Sequence, residues 1–480
     1  MQSFLNPTAR QTATRFFYFR GSYFDNQGGF RQNKQEASVL KNKIMERTLV
    51  SEAFKKAGEE INLQGFVNNI RHQGSIAFIE LRDRSGIMQA VVMKSSEAFD
   101  LTKNLSLESV VSLSGKTKEE KQAPGGVEME VAEIEILSLA DPELPIPVLD
   151  KGDNESNQTA RMNWRYLDLR KPKNNLIFQV WTAMETGFRS YLIKENFIQI
   201  HSPKMMSTGS EGGAELFEVK YFKRKAFLAQ SPQFYKQMAQ SAGLERVFEI
   251  GPVFRADPSF TSRHATEFTG FDLEMSFIKD HHDVMNLQAE LLANMISEVK
   301  KVCGKNVQET FKVELNVPKL PFPKVTIAEA KKMLAEKKIP SETDGDLSPE
   351  EERVLGNIIK ERDDHDIVFV TDYPISNRPF YHMRDEKNPQ LTKSYDLLYK
   401  GVEITTGAQR EHRYEILLQQ AKEKNIDIKD IEHYLNFFKY GCPPHGGFGM
   451  GPARVVMKML NLENIREVTY LYRGVKRLTP

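Results

Sequence analysis

FEIGPVFRADPSFTSRHATEFTGFDLEMSF, residues 248–277, reads as two strands joined by a turn that carries Asp257, Pro258 and Ser259. Arg255 and Arg263 lie eight positions apart across that turn, and an antiparallel hairpin places both on one face. Two guanidinium groups so placed can hold successive phosphates of a triphosphate. His264 adds a donor and Phe268 a flat ring. Spacing alone leaves a plain cationic hairpin as the commoner alternative. The usual nucleotide-binding signatures are missing: the chain has no G-x-x-x-x-G-K-[ST] and no G-x-G-x-x-G between a strand and a helix. HGGFGMG at 445–451 is glycine-rich, but it follows two prolines rather than a clear strand.

Upstream, from about Ile61, short alternating segments follow one another: INLQGFVNNI, SIAFIELRD, GIMQAVVM, VVSLSG and VEMEVAEIEILSL. The last alternates Met129, Val131 and, after a one-residue slip, Ile134 and Ile136 against glutamates. Five strands in about 90 residues predict a small closed barrel of the OB type over 45–140, which presents a strand face to single-stranded nucleic acid. The pattern alone also leaves open sugar binding or a purely structural barrel. Pro142, Pro145 and Pro147, then KGDNESNQTA, mark a hinge over 141–170. Val180, Met184, Phe188, Tyr191 and Leu192 then share one helical face, expected to be core. Strands and helices beyond it lack a βαβ rhythm, so 171–480 is expected to be α+β, a mixed antiparallel sheet flanked by helices. Residues 311–365 read as a small helical insertion.

The 66 basic and 65 acidic residues nearly cancel, so any nucleic-acid contact must come from local patches. Cys303 and Cys442 are the only cysteines and have no metal-ligand spacing, which points away from disulfides and structural zinc. No apolar run is long enough for a membrane span. These features predict a soluble, cytoplasmic protein. Residues 1–44 carry Arg10, Arg15, Arg20, Arg31, Lys34, Lys41 and Lys43 against only Asp25 and Glu36. With no sustained amphipathic stripe they read as a disordered leader, or as sequence upstream of a true start at Met45, rather than a targeting presequence.

GPVFRA…RHATEFTGFDLEM closely resembles the second signature motif of class II aminoacyl-tRNA synthetases in its aspartate form. NFIQIHSPKMM is similar to the first, a helix and strand ending at Pro203, and GMGPARVVMKML to the third. The resemblance runs from about Leu63 to Pro480. Size and the RLTP ending are similar to the archaeal type of aspartyl enzyme.

That resemblance implies ATP and aspartate as substrates, tRNA(Asp) and in some relatives tRNA(Asn) as acceptors, and a homodimer joined through the first motif. It assigns Arg255 to the α-phosphate and the substrate carboxylate, as a stabiliser of the transition state. Arg263 and His264 would hold the outer phosphates, Phe268 would stack under adenine, and Arg454 would cover its other face. Asp257, Glu403 and Gly451 are further ATP positions. Glu403 and Thr406 match the Mg²⁺ ligands, and Thr406 is also an aspartate position. Lys236 and Arg410 would grip the substrate side chain, while Gln233 and Glu211 receive its α-amino group. EGGAELF, residues 211–217, resembles a closing loop. On the barrel, Arg71, Phe78 and Gln89 would contact the anticodon, although alternation alone leaves Phe78 equally a core residue.

Two alternatives belong beside this reading. An asparaginyl-tRNA synthetase is similar in most of its length, but Lys236 and FTGFD speak against it. A non-catalytic tRNA-binding paralogue has Ala453 in its favour, where the third motif usually carries glutamate. Asn68 and Pro124 are the barrel positions at which the choice between tRNA(Asp) alone and both tRNAs lies, and they leave it open.

Overall fold

The computed structural model describes residues 45–149, 156–209, 215–259, 261–341 and 343–480. The leader at 1–44, Glu211 and part of the polar run after Pro147 lie outside the described residues. The chain divides after Pro142 into two compact units.

In the first unit, strands β1 (Glu60–Gln73), β2 (Ile76–Asp83), β3 (Gly86–Met93), β4 (Val110–Glu119) and β5 (Val127–Ser138) pair in the order β1-β2-β3-β5-β4. β4 returns to β1 and closes the barrel. Among these five strands only β3 and β5 run parallel, and the short strand Arg47–Thr48 adds a second parallel pairing, to β1. Period-two alternation turns Ile61, Leu63, Ile79, Leu81, Met88, Val111, Leu113, Met129 and Val131 inward. The slip in β5 is a bulge: Ser114 pairs with Glu133 but Gly115 with Val131, so Ala132 is the extra residue. It returns Ile134 to the interior after Val131.

In the second unit, eight strands form one sheet: β6 (Ile198–Gln199), β7 (Arg246–Phe254), β8 (Glu267–Ser276), β9 (Lys324–Thr326), β10 (Ile367–Thr371), β11 (Ser394–Tyr399), β12 (Val402–Arg410) and β13 (His445–Met450). Their order is β9-β10-β11-β12-β13-β8-β7-β6. The six central strands are antiparallel, and only the edge pairs β9–β10 and β6–β7 are parallel. HGGFG is therefore a strand, β13, lying between β8 and β12.

Helix α1 (Pro172–Lys194) buries Val180, Met184, Phe188 and Leu192, with Tyr191 half-buried. Phe188 sits on Phe248 and Phe271 of the sheet, at 5.9 and 4.5 Å between ring centroids. Helix α3 (His281–Phe311) packs beside α1, and Gly187 permits the approach, since a Cβ there would lie 2.9 Å from Met295 Cα. Short helix α2 (Gln233–Ser241) lies against β7 and β8.

The stretch 311–365 adds the edge strand β9 as well as helices α4 (Ile327–Glu336) and α5 (Pro349–Asp363). Both helices open with a capping box, Thr326 with Glu329 and Ser348 with Glu351. Within 141–170, Gln158–Asn163 and Arg165–Asp168 are helical, and Arg161 meets Glu467 through two hydrogen bonds of 2.7 and 2.6 Å. Among the described residues no helix is long and apolar enough to cross a membrane.

Candidate active site

The ladder between β7 and β8 ends at the pair Phe254–Glu267, so Arg255 and Arg263 both lie in the connection beyond it. They do not share the face of a hairpin, as their spacing alone predicts. They meet instead at one cavity of about 420 Å³, together with Gln233, Asp257, His264, Phe268, Asp272, Arg378, His382, Glu403, Thr406, Arg410, Gly451 and Arg454. The backbone N–H of Arg255 donates to Thr266 at 2.9 Å. Its guanidinium carbon lies 5.7 Å from the Phe268 ring centroid, the geometry of a cation–π contact.

Around this end of the cavity Arg263, His264, Asp257 and Arg454 each have a partner. Arg263 donates to Glu352 of α5 at 2.7 Å. His264 Nδ1 lies 2.5 Å from Thr261 Oγ1. Burial, and after it Arg454, lower the pKa of His264 below its ordinary 6.5, so the ring is neutral at neutral pH. Burial opposes ionisation of Asp257, but hydrogen bonds from Ser259 hold its pKa below the usual value. Arg454, on helix α6 (Pro452–Met459), donates to the Glu403 carbonyl at 2.8 Å and stands 3.6 Å from its carboxylate. Gly451 starts α6 with its N–H on Ile404 at 2.8 Å. Ala453 lines the cavity and packs on the core.

Thr406 donates to Glu403 at 3.2 Å, and Asp396 stands opposite Thr406 in the β11–β12 register. Asp396 accepts from Arg378 at 2.7 Å through one oxygen, while its other, Oδ1, is buried without a hydrogen-bond partner. Burial, then the Arg378 cation pulling against it, then repulsion from Glu403 set its pKa, which ends above the ordinary value. An orphaned carboxylate oxygen beside a second carboxylate and a hydroxyl is a hard donor set that fits Mg²⁺. Asp396 escapes sequence reading because a lone acid in the apolar strand SYDLLY carries no spacing of its own; only strand register brings it opposite Thr406.

Lys236 and Arg410 are both buried, and neither is a lone cation. Lys236 Nζ donates to Asp272 at 2.9 Å and to the Phe448 carbonyl at 2.9 Å, and lies 3.5 Å from Glu274. Arg410 donates to Glu274 at 3.0 Å, to the Gly447 carbonyl at 2.9 Å, and meets His382 Nε2 at 2.9 Å. The two cations expected to grip a side-chain carboxylate thus stand in a quartet with two acidic side chains, Asp272 and Glu274, so that the four formal charges cancel. Arg410 and Asp272 line the cavity, while Lys236 sits behind Asp272.

Burial raises the Asp272 pKa against the pull of Lys236; for Glu274 burial is outweighed by Arg410 and Lys236, and the pKa falls. Burial and then Arg410 keep His382 far below 6.5, hence neutral. Gln233 lies at the start of α2, with its amide on Gln237 at 2.8 Å.

The quartet spans three strands because β13 has glycines at its centre. Gly447 stands between Glu274 and Ala408, and a Cβ on it would come 2.4 Å from Glu274 Oε2 and 2.1 Å from the Leu273 carbonyl. The glycine lets Glu274 of β8 reach across β13 to Arg410 of β12.

On the barrel, Phe78 points away from the core between Ala77 and Ile79, and Arg71 covers its ring at 4.8 Å. Arg71 donates to Gln89 at 3.2 Å, and Gln89 to Glu128 at 2.8 Å. The three candidates therefore form one outer-face array. Asn68 is buried, accepting from Arg82 at 2.6 Å, and Arg82 pairs with Glu108 at 2.7 Å.

Residues 157–473 match the family model described as tRNA synthetases class II (D, K and N), and residues 61–137 that of the OB-fold nucleic acid binding domain. The chain belongs to the class II aminoacyl-tRNA synthetases, a class for which ATP is a substrate. Similar proteins include an aspartate–tRNA(Asp/Asn) ligase of Methanopyrus kandleri, 43% identical over 426 residues, covering 88% of this chain and 96% of the relative. An aspartate–tRNA(Asp) ligase of Pyrococcus horikoshii is 41% identical over 428 residues, with coverage of 88% and 97%. Among solved structures, asparaginyl-tRNA synthetase of Pyrococcus horikoshii with asparaginyl-adenylate aligns at TM-score 0.85 and 34% identity, covering 91% of this chain and 100% of that one.

The quartet makes a stability prediction. Lys236→Met removes one cation and leaves Asp272 buried beside Glu274, which should cost about 3–5 kcal/mol. Urea unfolding of the variant, followed through the transition of the catalytic unit, measures it. A loss below about 1 kcal/mol would mean that the pair behaves like an exposed one.

Proposed function

We propose that this chain is an aspartate–tRNA ligase: it joins aspartate to the α-phosphate of ATP, releases pyrophosphate, and passes the aspartyl group to tRNA(Asp). The observation that carries the reading is one cavity with Arg255 over Phe268 at one end and Arg410 of the neutral quartet at the other. The names of the archaeal relatives support aspartate.

In this reading the substrate's α-carboxylate attacks the α-phosphate and the bond to the pyrophosphate leaving group breaks. No protein base is needed, because the nucleophile is already ionised; orientation supplies much of the rate. Arg255 offsets the charge that develops on the α-phosphate. Arg263 and His264 bind the outer phosphates, and Asp257 orients the loop between them through Ser259. Phe268 and Arg454 flank adenine, beside the backbone at Gly451. Asp396, Glu403 and Thr406 would hold Mg²⁺, which screens the phosphate charge. A ribose hydroxyl of the tRNA's terminal adenosine then attacks the aspartyl carbonyl and AMP leaves.

Selectivity for aspartate follows from charge. With Asp272 and Glu274 paired to Lys236 and Arg410, no net negative charge opposes a second carboxylate, and Arg410 can donate to it. The amide of asparagine would set N–H against N–H there. Gln233 and Glu211 receive the α-ammonium group. On the barrel, Phe78 supplies a stacking ring, with Arg71 and Gln89 beside it for anticodon bases. Free thiols at Cys303 and Cys442 fit a reducing cytoplasm.

Amino-acid-dependent ATP–pyrophosphate exchange tests the reaction. Aspartate should support exchange about a thousandfold better than asparagine in kcat/KM. Equal or better exchange with asparagine sinks the aspartate assignment, and none with either sinks the catalytic one. Charging purified tRNA(Asp) and tRNA(Asn) distinguishes the two acceptor ranges carried by the relatives' names.

The proposal includes a homodimer. Strand β6 is an edge of the sheet; Ile198 and Met205, in the segment similar to the first motif, and Ile193 just before it are exposed apolar residues. Light scattering at micromolar concentration should give twice the mass of the chain; a monomer there removes this part.

A further inference from the structure

Glu352 on α5 is buried, and a single oxygen of its carboxylate takes two hydrogen bonds. Oε2 accepts from Arg263 Nη1 at 2.7 Å and from the backbone N–H of Glu403 at 3.0 Å. One atom therefore ties α5 to the loop beyond β7 and to the start of β12. Arg263 and Glu403 line the cavity, and Glu352 stands outside it.

The placement of Glu352 is built into the packing. Ser348 caps α5 and Pro349 begins it, while Leu355 and Ile359 bury its inner face. Gly356 brings the helix onto the turn between β11 and β12: a Cβ there would lie 2.7 Å from the backbone nitrogen of Gly401. Gly401 has φ +67° and faces Arg353 Cα, which a Cβ on it would meet at 2.8 Å. Two glycines thus seat the helix two residues before Glu403, and the carboxylate follows from that seat.

We propose that Glu352 is a positioning residue for the triphosphate end of the site, holding Arg263 by one N–H so that its guanidinium faces the cavity while fixing the strand start that carries Glu403. A guanidinium has five N–H donors in a rigid fork, and Glu352 engages one of them, so the arginine can meet a phosphate without leaving its partner. The stretch 311–365 then serves ATP binding and not only the edge of the sheet. The inference rests on the reading of the cavity as an ATP site.

Glu352→Gln tests it. The amide keeps the shape and an oxygen acceptor for Glu403 N–H, but drops the charge that orients Arg263. The expected result is a rise of about tenfold in KM for ATP with KM for aspartate changed less than about twofold, and an unchanged melting temperature. In an Arg263→Ala background the same change should add little further. Unchanged ATP kinetics overturn the proposal, as does a fall in KM for ATP, which would make Glu352 a competitor of the phosphates. An equal rise in both KM values with a lowered melting temperature reduces it to a structural brace. ATP affinity is also read directly by calorimetry. If the unmodified protein binds ATP but shows no exchange with any amino acid, the functional reading fails while the binding comparison still decides the role of Glu352.

Discussion

Four buried charges, Lys236, Asp272, Glu274 and Arg410, decide how the centre of the catalytic unit is built. Each would be costly alone, and each is retained because a partner lies within 3.0 Å. The contact runs from helix α2 through β8 and across β13 to β12, so it needs those four elements in one register. A slip of one residue in β8 would turn Asp272 and Glu274 away from both cations. Gly447 is part of the same constraint, since any side chain there would fill the path that Glu274 takes.

The cavity inherits its polarity from that array. Strands place Phe268, Asp272, Thr406 and Arg410 rigidly, because their neighbours in the ladder are fixed. Arg255, Asp257, Arg263 and His264 come instead from a connection, and depend on braces: Thr266 for Arg255, Ser259 for Asp257, Glu352 for Arg263 and Thr261 for His264. The Arg410 end of the cavity is thus built on the sheet, and the end at Arg255 and Arg263 on a supported loop.

Much of this was legible in the residues. Period-two alternation exposed the barrel, and the slip after Val131 was visible as a break in phase that register resolves into a bulge at Ala132. The buried face of α1 followed from helical spacing. The residues around the cavity were legible where they sit in quoted motifs. Asp396, Glu352, His382 and the anionic half of the quartet were not, for one reason: each acts through a partner on a strand or helix distant in sequence, and an acid in an apolar strand looks the same whether it pairs or binds. The role of the glycines of β13 was not legible either. HGGFGMG lacked a clear preceding strand and so carried little as a nucleotide signal; His445–Met450 is itself a strand, and the smallness of its glycines makes room for Glu274.

The central claim is that a neutral buried quartet presents Arg410 to the cavity and thereby favours a carboxylate over its amide. Calorimetric titration of the full chain with aspartate and with asparagine, in the absence of ATP, measures that preference apart from any chemical step. The account predicts aspartate binding at least about 100-fold tighter. Equal affinity for the two, or tighter binding of asparagine, would contradict it.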